Sequence, residues 1–130
     1  MSADGLILFA HGARDPAWTR PFEAVAAEVL RVQTALALRL AYLEFMPPDL
    51  IEAGRQLAAE GCMRVQVLPL FLGTGGHLRQ DLPPMIEQLR REHPHVAWAV
   101  LPAAGEHTAV VRAMAGVALA ALHSDEATTP

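Results

Sequence analysis

Four stretches of this chain are apolar without clean polar alternation: residues 5–10, 36–44, 64–70 and 96–101. Each is followed by a segment whose apolar residues recur at helical spacing. That repeat constrains the fold more than any other feature. A strand without alternation is buried on both faces, and crossover helices supply that cover. The chain therefore reads as an α/β fold, a single three-layer domain over residues 1–130 with a four-stranded parallel sheet flanked by helices. At 130 residues and 52% hydrophobic composition it has the size and apolar content for one core. No linker or low-complexity segment divides it.

The helices follow from the periodicity. Phe22, Val25, Ala26, Val29 and Leu30 predict a first helix over 18–32. Asp49, after Pro47-Pro48, is placed to cap a second, with Leu50, Ile51, Gly54, Leu57 and Ala58 on one face and an end at Gly61. Leu82, Met85, Ile86 and Leu89 mark a third, which Pro94 stops. A fourth is predicted over 106–123, with Val110, Met114, Val117 and Ala121 on its buried side. Residues 124–130 read as a frayed tail.

Charge and composition exclude several function classes. The net charge is −4, and all ten basic residues are arginine, which gives no electrostatic footprint for nucleic acid. Residues 5–10 are too short and lack the basic flank of a signal peptide, and no run is long enough to span a bilayer. The expectation is a cytoplasmic protein that binds neither nucleic acid nor membrane. The lone Cys62 rules out an intrachain disulfide framework and a cysteine zinc site, and reads as a small structural residue.

In open parallel sheets, ligands bind beyond the carboxyl ends of the strands, where the strand order reverses. His11 ends the first strand and Glu44 the second, and the loop after the third carries His77. With the first strand between the second and third, these groups become neighbours. Two imidazoles and a carboxylate suit a divalent transition metal: cobalt, nickel, iron or zinc rather than magnesium or calcium. Each also has a structural reading. His11 can cap its strand and Glu44 can be a solvated loop acid, whereas His77 follows Gly75-Gly76, which free the backbone and remove steric cover around the imidazole. His93 and His95 fall at the opposite end of the sheet. His107 lies on the functional rim, and His123 at a helix end.

The loop Gly73-Thr-Gly-Gly76 can also present backbone N–H groups to an anion. However, it lacks the Walker lysine and the glycine spacing of dinucleotide folds. A nucleophilic triad finds no support either. Ser2 and Ser124 sit near the termini, and Cys62 lies at the wrong end of a strand.

Gly5-Leu-Ile-Leu-Phe-Ala-His-Gly-Ala-Arg-Asp15, Ala41-Tyr-Leu-Glu-Phe-Met-Pro47 and Val67-Leu-Pro-Leu-Phe-Leu-Gly-Thr-Gly-Gly-His-Leu-Arg-Gln-Asp-Leu-Pro83 together resemble the small CbiX-type class II chelatases, the sirohydrochlorin cobaltochelatase family. The resemblance runs from the first strand to the fourth helix, and the third block is its most specific part. It implies a chelatase-like α/β half that inserts a divalent metal into the tetrapyrrole sirohydrochlorin without ATP, in cobalamin and related biosynthesis. The metal is commonly Co²⁺, with Fe²⁺ and Ni²⁺ as alternatives. It is a substrate, and no prosthetic group is implied. The family's active-site histidines fall on His11 and His77, and its acidic residue on Glu44. A single-half chain resembles the short form, which works as a homodimer.

Metallation exchanges a solvated ion for two pyrrole protons, a task for imidazoles that are neutral near pH 7. Arg14 and Arg79 are placed to bind substrate carboxylates. Phe71, Leu72 and Leu78 are candidates for covering the macrocycle face. Two competing readings remain. One is a non-catalytic carrier of metal or tetrapyrrole. The other is phosphoryl transfer of the histidine-phosphatase type, whose Arg-His-Gly start is met here by Ala10-His11-Gly12 with the arginine missing.

Overall fold

The computed structural model describes residues 4–73 and 75–124, with His77 described in its backbone alone. Strands β1 (Asp4–Ala10), β2 (Ala37–Tyr42), β3 (Arg64–Pro69) and β4 (Ala97–Val100) alternate with helices α1 (Arg20–Val32), α2 (Leu50–Ala59), α3 (Gly76–Glu92) and α4 (Thr108–Leu122). The sheet order is β2-β1-β3-β4, all parallel, so β1 lies between β2 and β3 as expected. Leu8 aligns with Leu40 on one side and Leu68 on the other. The order reverses between β1 and β3, which makes their carboxyl ends the switch point of the fold.

Alternation along each strand divides the sheet into two unequal faces. Ile7, Phe9, Val65, Val67 and Trp98 turn to one side, where they form the core with Leu50, Ala53 and Leu57 of α2 and Ile86 and Leu89 of α3. Each large side chain fully buried there contributes roughly 1.5–3 kcal/mol. Asp49 caps α2 by accepting from the Glu52 N–H at 2.8 Å. Arg55 of α2 holds Glu92 of α3 with two hydrogen bonds, 2.7 and 2.8 Å long. On the other face α1 lies across β1 and β2, and its only buried residue is Ala26.

Several elements depart from the predicted boundaries. A 3₁₀ turn at Pro16–Thr19 precedes α1, because Asp15 accepts from the Ala17 N–H at 2.9 Å and starts a separate turn. β2 stops at Tyr42, which leaves Glu44 in the following turn. α3 begins at Gly76, so His77 sits inside its first turn, after Gly75 in an extended conformation. The larger correction concerns α4. Its expected buried side is not buried: no residue of α4 is, and Met114 and Val117 are 51% and 73% exposed. α4 leaves from the turn Ala104–Glu106, which is seated on the loop after β3 by a 2.8 Å hydrogen bond from the Gly105 N–H to the Phe71 carbonyl. The expected tail lies outside the described residues except for Ser124. Among the described residues, no helix is long and apolar enough to cross a membrane.

Candidate functional site

His11 is the first residue beyond β1, and its placement is controlled from three sides. Its carbonyl accepts a 2.6 Å hydrogen bond from the Trp18 indole N–H. Its ring meets Phe71 edge-on, with centroids 4.3 Å apart and planes at 77°. Phe71 in turn packs edge-on against Phe9 in the core at 6.0 Å. Such aromatic pairs contribute about 0.5–1.5 kcal/mol beyond their burial. The third control is Gly12, where a Cβ would fall 1.6 Å from the Glu44 carbonyl oxygen. The loops after β1 and β2 therefore touch through backbone, and only glycine allows that approach.

That contact brings Glu44 beside His11. The two line one open cavity of about 370 Å³, together with Leu43, Asp81 and Met85. Both side chains are exposed, so proton exchange with solvent and ligand access are unobstructed. Glu44 precedes Phe45, whose φ of 70° is in the left-handed region that a bulky residue seldom adopts. The Phe45 ring lies beneath the Arg14 guanidinium, 5.1 Å from ring centroid to carbon, which ties Arg14 to the Glu44 turn.

His77 has its backbone in the first turn of α3, at the carboxyl end of β3 and hence on the same rim. Its side chain lies outside the described residues. Among the described residues, no three His, Cys, Asp or Glu side chains come together to hold a metal. Asp81, one turn after His77, lines the same cavity and was not among the sequence candidates. Its spacing of four from His77 was the available signal.

The three apolar candidates separate. Phe71 and Leu78 are buried at 8% and 6% exposure and belong to the core cluster, whereas Leu72 is 70% exposed. Arg79 opens onto a different groove, between α3 and β4, with Leu82, Pro83, Ile86, Glu87, Arg90 and Val100. His107 sits at the start of α4 and His123 at its end. His93 and His95 face each other at the far end of the sheet, 6.4 Å between centroids. Cys62 is buried, and burial pushes its thiol pKa up, as suits a structural residue.

This architecture has close counterparts. A crystal structure of a CbiX protein from Marinobacter aquaeolei VT8 is 32% identical and superposes with a TM-score of 0.80, covering 92% of this chain and 98% of that one. The cobalt complex of the sirohydrochlorin chelatase SirB from Bacillus subtilis subspecies spizizenii shares the fold at 20% identity and a TM-score of 0.74. Here 92% of this chain covers 51% of the other. In sequence, the chain is 35% identical over 82 residues to the sirohydrochlorin cobaltochelatase of Saccharolobus solfataricus, a match spanning 63% of this chain and 62% of that protein. The match thus spans less than two thirds of that relative's length. The corresponding protein of Sulfurisphaera tokodaii is 29% identical over 86 residues, 66% of this chain and 70% of the other. The CbiX family model matches residues 5–118, from β1 through most of α4. With fold, rim and sequence in agreement along that span, the chain belongs to the CbiX family.

Proposed function

We propose that this protein is a cytoplasmic metal chelatase that inserts a divalent ion, Co²⁺ foremost, into sirohydrochlorin without ATP, and that it works as a homodimer. The observation that carries the reading is the pairing of His11 and Glu44 on one open cavity at the switch point of the sheet. The relatives named sirohydrochlorin cobaltochelatase support the substrate, and the cobalt complex of SirB supports the metal.

The chemistry follows from the groups present. As the metal enters the macrocycle, two pyrrole N–H bonds break and two protons leave. A neutral imidazole with an ordinary pKa of about 6.5 can accept such a proton and pass it to solvent near pH 7. In this reading His11 and His77 hand over the metal and take up the protons, and Glu44 balances the ion's charge. Asp81 adds a second carboxylate on the same cavity wall. Arg14 offers a guanidinium to a peripheral carboxylate of the substrate. Leu72 is the exposed apolar residue beside the macrocycle, while Phe71 serves by bracing His11.

The loop glycines support the same picture. Among the described residues, a Cβ at Gly73, Gly75 or Gly76 would meet nothing within 4 Å, and none of the three has left-handed backbone. The fold itself therefore does not require glycine there. Open space at the mouth of the site is what they provide, as approach of a flat macrocycle needs.

The test is absorbance-monitored metallation of sirohydrochlorin with Co²⁺, Fe²⁺ and Ni²⁺ in turn. Multiple turnovers are expected, fastest with Co²⁺. Removing a proton acceptor in His11→Ala or His77→Ala lowers kcat by about 10²-fold or more. Wild-type rates in both variants would remove the mechanism, and stoichiometric binding without turnover would make the protein a carrier.

A further inference from the structure

α4 is too apolar for its surroundings. Of its fifteen residues only Arg112 is charged. Yet Val111, Met114, Val117, Leu119 and Leu122 are 54%, 51%, 73%, 59% and 77% exposed. A helix that is hydrophobic around most of its circumference belongs in a core.

The sheet has an uncovered half that matches it. Trp98 of β4 faces α2 and α3, so alternation places Ala97 and Ala99 on the opposite face, in register with Arg64 and Gln66 of β3. Both alanines are exposed, and Leu68, Leu70 and Leu101 are only half-buried. α1 covers β1 and β2 alone on this side, and its Val25 and Leu30 remain 43% and 37% exposed. Small residues on β4 leave room for a closely packed helix.

The same chain's α4 does not occupy that half, for a local reason. The Gly105 N–H donates to the Phe71 carbonyl at 2.8 Å, and a Cβ on Gly105 would fall 2.0 Å from the Leu72 carbonyl oxygen. The turn is thus seated against the loop after β3. His107 and then Val110 and Val111 continue it by hydrogen bonds into α4. Bringing α4 back over its own sheet requires unseating that turn, whereas meeting a second molecule does not.

We infer that the β3–β4 half of this face is covered by α4 of a second copy, and that the two chains exchange these helices reciprocally. The inference rests on the homodimer reading above and specifies how that dimer is built. Each chain carries one arm and one acceptor, so a two-fold pair satisfies both and the assembly closes. A helix of fifteen residues is about 22 Å long. Burying one side of it against a sheet removes on the order of 900 Å² counting both surfaces, so two exchanged helices bury about 1,800 Å², the size of a stable interface. Because α4 leaves from the turn seated on the Phe71–Leu72 loop, the exchange also fixes the partner beside the His11 rim.

Sedimentation of the full chain at micromolar concentration is expected to give twice the 14.0 kDa chain mass. Met114→Glu/Val117→Glu is expected to weaken association by roughly 10²-fold or more, the loss seen when central interface anchors are removed. A second measurement does not depend on how well that variant folds. Val117 is replaced by the photoreactive benzoylphenylalanine in a mixture of isotopically heavy and light chains. Illumination is expected to yield heavy–light peptide pairs joining position 117 to residues 97–101. A monomeric wild type would overturn both the dimer and the exchange. A dimer whose cross-links from position 117 reach no strand residue of the other chain would overturn the exchange and leave the dimer standing. Cross-links to 97–101 confined to single chains would show α4 folding back on its own sheet.

Discussion

Glycine has opposite meanings at two positions of the site. At Gly12 a side chain would run into the Glu44 backbone, 1.6 Å away. Gly12→Ala is therefore expected to cost at least about 2 kcal/mol, since backbone cannot yield as a side-chain tip can. It also separates the loops that place His11 and Glu44, so metallation falls with stability; denaturant unfolding and turnover measured together check this. At Gly76 a Cβ would meet none of the described residues within 4 Å, and the residue already lies in the first turn of α3. Gly76→Ala is expected to keep or raise stability, by about 0.4–1 kcal/mol through the unfolded chain. Its turnover is expected to drop about tenfold or more, because the methyl group intrudes where the reactants must be aligned. Full activity in that variant would show that the clearance is not used. His11, Glu44 and His77 were legible as candidates because each follows an apolar run. The Trp18 hydrogen bond to His11, the Phe71 brace and the close approach at Gly12 were not. They depend on which loops meet in space.

Between elements, one polar tie is the Arg55–Glu92 pair joining α2 to the end of α3. Hydrogen bonds from Arg55 and then Gln88 hold the Glu92 carboxyl at about 2, below its ordinary 4.5. A depressed carboxylate contributes stability that is complete above the unfolded value and disappears as pH falls through the folded one. Wild type is therefore expected to lose stability to Glu92→Gln between about pH 4.5 and pH 2, and the two curves converge at the acid end. Denaturant midpoints at a series of pH values measure this, and parallel curves would refute it. The tie was invisible in sequence, since its partners are 37 residues apart. Helix existence was legible throughout from apolar spacing, and so was the cap at Asp49. The start of α1 shifted because Asp15 takes extended backbone and opens a separate turn where periodicity alone sets no boundary.

For the whole molecule, the proposed exchange of α4 would make folding and association one process. Thermal unfolding is then expected to be concentration-dependent, the midpoint rising with protein concentration as mass action requires. A midpoint constant over a hundredfold dilution range would count against a dimer. Wild-type and Met114→Glu/Val117→Glu proteins compared in this way separate the contribution of α4 from that of the rest of the surface. By itself the sequence determined that there are four strand–helix repeats, that the sheet is parallel, and that the polar groups of interest stand at strand ends. Each of these is a matter of local periodicity and crossover geometry, which short stretches of chain encode. Only the tertiary structure decided that Glu44 and Asp81 share a cavity with His11, that Phe71 braces the imidazole, and that α4 is left uncovered. Those outcomes come from contacts between distant segments, and the seating of Gly105 on the Phe71–Leu72 loop sends an apolar helix away from the sheet that its own pattern suits.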